Sequence, residues 1–258
     1  MLQETRLHRI RALLSTLGQV ITERIIKDLG ISRETARRDI IELEAQGLAR
    51  RVHGGLMAPG ATPEPPLTVR SAVMAKEKRA IARVAAQLLQ SGQTVFLDAG
   101  STTTMLAEEL RSMSGLTIIT NSLNAALMLC AAEEHESLNN QVILLGGNML
   151  AGAKETRGEL TVGEIYRYRA DVALLSPVAL DARQGASSFQ PHEAAIARAM
   201  REQAGRLIVL ADHTKLGHTS RISYASLQQI STLVTDSGAE SLAAFAALAT
   251  AIPQVLLA

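Results

Sequence analysis

The chain has 258 residues, 47% of them hydrophobic, only 2% aromatic and no tryptophan, so it can fill one small and one medium core, both built from aliphatic side chains. A single cysteine, Cys130, excludes an intramolecular disulfide and falls in an apolar helical pattern that predicts a buried, unreactive thiol; no apolar run reaches the roughly 20 residues of a membrane span and no signal-peptide core is present, which predicts a cytoplasmic protein without a membrane partner. Net charge is +1, but residues 1–55 hold 10 Lys+Arg against 7 Asp+Glu and the remainder 16 against 18, so the positive excess lies at the N-terminal end.

Leu7, Ile10, Leu13, Leu14 and Leu17 recur at helical spacing and predict a first amphipathic helix, closed by Gly18. A second helix, Thr22–Leu29, presents Ile25, Ile26 and Leu29 and runs into a tight turn at Gly30-Ile31. Ser32 is the N-cap of a third, whose stop is Gly47. At about 100° per residue, Ala36, Ile40 and Leu43 share one stripe, while Glu34 and Arg38 point the opposite way with Thr35 and Arg37 beside them. One face packs and the other is offered. Arginines near a helix start can bridge guanine or grip phosphate in a DNA major groove. A lone Arg-Arg pair is more often a solvated surface, and it is the helix, tight turn, helix context that favours DNA. Residues 48–55 then read as a strand turning at Gly54-Gly55, a wing whose basic side chains reach an adjacent groove or phosphates. The expectation is a winged helix-turn-helix over 1–57, contacting DNA through Ser32, Arg33, Glu34, Thr35, Arg37 and Arg38 and, on the wing, Arg50, Arg51 and His53.

Residues 58–66 concentrate four of the seven prolines without periodicity, which predicts an extended spacer; the linker is placed at 58–75, with 69–75 compatible with a helix or with irregular chain. From 76 to 258 helix and strand patterns alternate. Helices are expected on Ile81, Val84, Ala85, Leu88 and Leu89, over 104–111 and 123–132, near Ile165, and over 194–204 and 242–250. Strands are expected at 94–98, 116–120, 142–145, 172–175, 207–211 and 233–235, with a last one after Pro253. Continuous aliphatic strands between helices predict a doubly wound, mostly parallel α/β sheet.

In such a sheet ligands bind beyond the carboxyl ends of the strands. Those ends carry Asp98, Gly100, Ser101, Thr102 and Thr103 opening a helix, Asn121-Ser122, Gly146-Gly147, and a turn at 212–217 that contains Lys215. Helix N-terminal N–H groups among hydroxyls make a seat for phosphate, and several such turns together make a polar small-molecule pocket. Each has a plainer alternative: hydroxyls that only cap a helix, glycines that only turn, a solvated Lys215, and Glu193 placed in a first helical turn for the dipole alone. His192, His213 and His218 lack the paired spacing of zinc sites and read as loop histidines, so neither a metal nor a cofactor is expected.

Residues 6–55 resemble the DeoR family of bacterial sugar-responsive repressors, whose signature Ser-x-x-Thr-x-Arg-Arg-Asp-aliphatic is met by Ser32, Thr35, Arg37, Arg38, Asp39 and Ile40, followed by Leu43-Glu44, Gly47-Leu48 and His53-Gly54-Gly55. The resemblance continues to about residue 236. It implies a C-terminal sensor similar in fold to ribose-5-phosphate isomerase that binds phosphorylated sugars or their derivatives. The family's turns are matched by Asp98, Gly100, Ser101 and Thr102, by Thr120-Asn121, by Gly146-Gly147, by Glu193-Ala194, and by Asp212, Thr214, Lys215 and Gly217. On that basis Ser101, Thr102 and Thr103 would hold the phosphate, and Asp98, Asn121, Lys215 and Glu193 the rest of the ligand. One loop departs: Ser176-Pro177-Val178-Ala179 stands where the family carries a Gly-rich turn, and proline removes a backbone donor.

The resemblance implies a repressor of a carbohydrate catabolism operon that binds double-stranded operator DNA and is released by a phosphorylated sugar. A homodimer or homotetramer would set two recognition helices about 34 Å apart. The alternative is a sugar-phosphate isomerase-like enzyme with an appended DNA-binding module, using Asp98, Glu193 and Lys215 as acids and bases; no second acidic cluster is visible in the sequence to assist it.

Overall fold

The computed structural model describes residues 2–17, 19–52, 55–57, 67–131, 140–149 and 154–258. Two compact units emerge, Met1–Glu64 and Pro65–Ala258.

The first unit runs α1 (Gln3–Leu17), β1 (Gln19–Ile21), α2 (Thr22–Leu29), α3 (Arg33–Ala45), β2 (Arg50–Val52) and β3 (Gly55–Met57). Its core joins Ile10 and Leu14 of α1, Ile25 of α2, and Ala36, Ile40 and Leu43 of α3, the stripe expected from helical spacing, to Val20 and Leu56 of the sheet. Gly30 turns the chain between α2 and α3 at φ +61. At the C-terminal end of α3, Gly47 takes φ +66, its N–H donating to the Glu44 carbonyl (3.0 Å) while the Leu48 N–H donates to that of Leu43 (2.9 Å). That is a Schellman stop, which favours glycine because only glycine adopts the left-handed conformation without a Cβ penalty. The wing differs from expectation: β1 pairs antiparallel with β3, which pairs antiparallel with β2, so the sheet has a third strand. Three residues are too few for alternation to announce a strand. The expected stop at Gly18, the Gly54 turn and the proline-rich stretch 58–66 lie outside the described residues.

The second unit begins with α4 (Leu67–Ala72) and α5 (Ala75–Ala86). Of the stretch 69–75, for which helix and irregular chain were both compatible, residues 69–72 are helical as the end of α4. Buried Lys78 donates to the carbonyls of Arg70 (2.7 Å) and Val73 (2.9 Å), a cap supplied from the next helix to one too short to show periodicity.

The chain continues through β4 (Thr94–Leu97), α6 (Ser101–Leu110), β5 (Thr117–Thr120), α7 (Leu123–Cys130), β6 (Gln141–Leu144), α8 (Glu159–Ile165) and β7 (Ala170–Leu175). β8 (Ala179–Asp181), β9 (Gly185–Ser188), α9 (Pro191–Glu202), β10 (Ala204–Leu210), β11 (Ile222–Ala225), β12 (Thr232–Thr235), α10 (Ala243–Ala251) and β13 (Gln254–Leu257) complete it. The main sheet is parallel, in the order β13-β12-β10-β7-β4-β5-β6. Alternation splits its aliphatic side chains between two layers. Val95, Leu97, Val172, Leu174, Ile208 and Leu210 face α5 and α6, whereas Phe96, Ala173, Leu175 and Val209 face the layer containing α9.

A smaller antiparallel sheet, β11-β9-β8, was not expected. Its strands are short and rich in Ala, Ser and Gly, residues with little strand propensity. Gly185 there sits at φ +70, where a Cβ would fall 2.1 Å from the Ala225 carbonyl oxygen. Cys130 is corrected as well: the thiol is exposed at the end of α7, because that helix packs through Ala125 and Ala126 and turns Leu127 and Cys130 outward. No helix among the described residues is long and apolar enough to cross a membrane.

Candidate functional site

In the first unit, α3 presents its cations to solvent. The Ser32 hydroxyl accepts the Thr35 N–H (3.1 Å) and lies 2.9 Å from the Thr35 hydroxyl, fixing the helix start. Arg33 pairs with Glu23 at 3.1 Å, Arg38 with Glu34 at 3.4 Å and Arg51 with Glu44 at 3.7 Å, all at the surface. Exposed pairs of this kind contribute about 0–1 kcal/mol, so these arginines are readily released to a stronger anion. Arg37 and Arg50 are exposed, and their side chains make no hydrogen bond or ion pair among the described residues. A cleft of about 300 Å³ opens between Thr22, Glu23, Arg33, Arg37, Arg51 and Gly55, between α3 and the wing. His53 lies outside the described residues.

Sequence reasoning overlooked what aims this face. Asp39 is fully buried and receives a bidentate contact from Arg6, Nε at 2.6 Å and Nη2 at 2.9 Å, which ties α1 to α3. The signal was present: position 39 falls on the packed stripe three residues after Ala36, and a charge there requires a partner.

In the second unit, β4 is followed outward by β5 and β6 on one side and by β7, β10, β12 and β13 on the other, so the winding reverses between β4 and β7. The crevice beyond that reversal is where such sheets hold ligands. Asp98 stands in it: its N–H donates to the Leu174 carbonyl (3.3 Å), and its carboxylate accepts from the Ser176 N–H and the Thr103 hydroxyl, both at 3.4 Å. Burial, with added repulsion from Glu193 and Glu155, pushes the Asp98 carboxyl up to about 8, against lowering by the Ser176 N–H and the Thr103 hydroxyl. Gly100 caps α6 without a side chain, and a Cβ there would lie 3.1 Å from the Thr103 Oγ1. The first-turn N–H groups of α6 therefore keep no side-chain acceptor at the cap. Ser101, Thr102 and Thr103 are buried, and the Thr103 hydroxyl is engaged by Asp98 and by the Gly100 carbonyl at 3.1 Å.

Asn121, after β5, donates from Nδ2 to the Thr156 carbonyl (3.2 Å), and its own carbonyl accepts the Thr156 N–H (2.9 Å). Glu193 accepts the Ser188 hydroxyl in the first turn of α9. Gly146 and Gly147 have a packing explanation: the Gly146 N–H donates to Glu164 (2.5 Å), and at φ +150 a Cβ on Gly147 would meet the Thr161 hydroxyl at 2.0 Å. Lys215 sits in a 3-10 turn after β10 and makes no side-chain hydrogen bond or ion pair among the described residues.

The structure adds residues that the sequence did not single out. Glu155 reaches the site through a bridge to Ser122, and its carboxylate lies 3.6 Å from His192 Nε2, which is also 3.1 Å from Arg157 Nη1. His192 thus belongs to a helix start and an acidic cluster, not to a loop. The second carboxylate group that the sequence failed to show exists, assembled from distant positions. Tyr224 of β11 is buried, its hydroxyl has no partner among the described residues, and it is raised well above its ordinary range by burial and by Asp98 and Glu193.

Comparison with known proteins gives two family matches, the DeoR-like helix-turn-helix domain over residues 6–61 and the DeoR C-terminal sensor domain over residues 73–237. The glycerol-3-phosphate regulon repressor of Escherichia coli (strain K12) is 32% identical over 236 residues, 92% of each chain. The HTH-type transcriptional repressor GlcR of Bacillus subtilis (strain 168) is 35% identical over 237 residues, 92% of this chain and 89% of that one. Among solved structures, ribose 5-phosphate isomerase from Methanocaldococcus jannaschii overlaps 55% of each chain at 16% identity, with a TM-score of 0.39.

Proposed function

This chain belongs to the DeoR family of DNA-binding transcriptional repressors, and from that premise we propose that it represses a carbohydrate catabolism operon and releases the operator on binding a phosphorylated sugar or derivative. The observation that carries the DNA half is α3, which buries one stripe and offers Arg33, Arg37 and Arg38 on the other face beside Arg51 of the wing. In this reading Ser32, Glu34, Thr35, Arg50 and His53 complete the interface, and residues 1–57 form the reading domain.

The effector is proposed to lie at the β4/β7 reversal. Its phosphate meets the uncapped start of α6 at Ser101 and Thr102, while its hydroxyls meet Asp98, Asn121, Glu193 and Lys215. The name of the Escherichia coli relative puts glycerol 3-phosphate first on the panel, followed by hexose and pentose phosphates. A ligand at 100 times its dissociation constant stabilises the native state by about 2.7 kcal/mol, so thermal unfolding against this panel tests the proposal. A sugar phosphate that raises the midpoint in the wild type but not in Asn121→Ala supports it; no shift across the panel rejects the effector half. The acidic crevice is read as a binding site, not an active site, and turnover of ribose 5-phosphate by the purified chain would reverse that reading.

A further inference from the structure

Beyond the sugar-phosphate reading, we propose that Glu155, His192 and Glu193 form a site for a first-row divalent cation, Mn²⁺ or Zn²⁺. One ligand atom from each residue lies within 4.8 Å of the other two. Bonds of about 2.0–2.2 Å to a common ion hold neighbouring donors roughly 3–4 Å apart, so small side-chain rotations close the set. One imidazole and two carboxylates form a mixed nitrogen and oxygen donor set, which suits these ions. The backbone is already fixed for it. Glu155 is held by its bridge to Ser122, and His192 and Glu193 directly follow Pro191 at the start of α9.

An independent observation points to a missing partner at the same place. Tyr224 and Asn121 are buried, and the Tyr224 hydroxyl and Asn121 Oδ1 have no hydrogen-bond partner among the described residues. Asn121 adjoins Glu155, because both its carbonyl and its amide engage Thr156. Tyr224 lies on β11, which packs against α9, the helix whose first turn carries Glu193. Buried polar atoms are almost always satisfied, so these two mark room for a ligand or for the water completing an ion's shell. Arg157 Nη1 lies 3.1 Å from His192 Nε2 and engages the ring nitrogen that an ion would take, so an ion would displace it.

The test is titration of EDTA-stripped full-length protein with Mn²⁺ alone, free Mn²⁺ being read by electron paramagnetic resonance. No sugar phosphate is present, so failure here leaves the effector proposal standing. One saturable site per chain is expected, weakened at least tenfold by Glu155→Gln and by Glu193→Gln, unchanged by Glu159→Gln on the exposed start of α8, and tightened by Arg157→Leu. Zn²⁺ should displace Mn²⁺ and raise the unfolding temperature of the wild type. Absence of saturable binding, or affinity indifferent to both glutamine variants, overturns the site. Should either glutamine variant fail to fold, Arg157→Leu decides: unchanged Mn²⁺ affinity there also overturns it.

Discussion

Arg38 is 75% exposed and, among the described residues, held only by Glu34 one turn away, so little would be lost in turning to DNA. Arg38→Ala should weaken operator binding by about 1–3 kcal/mol. Competition between operator variants separates two roles: a base contact relaxes preference at one position, a phosphate contact weakens all sequences alike, and unchanged affinity removes Arg38 from the interface. Asp98 makes a second prediction, with an unusual sign for a carboxylate. Its folded value of about 8 lies above the ordinary 3.8, so between those values the folded chain keeps a proton that the unfolded chain has released. Stability therefore falls as pH rises from about 4 to about 8, and levels off on either side. Glu193, Glu155 and Tyr224 face this carboxyl, and Ser176 and Thr103 donate to it. Asp98→Asn mimics the protonated form and should flatten that part of the unfolding temperature against pH; an unaltered slope would assign the dependence to another group.

Helices that bury a regular stripe were legible in the sequence because 3.6-residue spacing survives in isolation, as at Ala36, Ile40 and Leu43. The parallel strands were legible because both their faces are covered. Elements whose stability comes from elsewhere were not: β1 exists through β3, α4 through Lys78, and the β8, β9 and β11 sheet through close backbone approach at Gly185. The site followed the same division. Turns at strand ends could be read from local chemistry, whereas Glu155, His192 and Tyr224 meet only through tertiary pairing. The Arg6–Asp39 pair is the case with the largest consequence, since it fastens α3, the helix proposed to read DNA, to α1. Asp39→Ala strands the Arg6 guanidinium against the helix packing, and should lower the unfolding temperature of the full chain by several degrees and weaken operator binding with it. Replacing both partners together, Arg6→Met with Asp39→Leu, should recover much of the unfolding temperature, because two apolar side chains leave no charge unpaired. A single variant that melts with the wild type would deny the pair its structural role.

The cationic face and the crevice belong to different compact units, and repression relieved by an effector requires free-energy coupling between them. Tight effector binding by itself shifts nothing; the effector must favour the state with poor DNA affinity over the state with good affinity. Coupling of this kind is reciprocal. If a sugar phosphate lowers operator affinity by some factor, saturating operator DNA must lower sugar-phosphate affinity by the same factor, within the 5- to 150-fold range typical of such systems. Both arms can be measured on one preparation, operator binding by fluorescence anisotropy with and without effector, and effector binding by calorimetry with and without a duplex carrying the operator. Equal factors would show that crevice and recognition helix share one two-state equilibrium. An effector that loosens the operator while its own affinity is indifferent to DNA would break the cycle, and derepression would then have to act through something other than this chain's sensor.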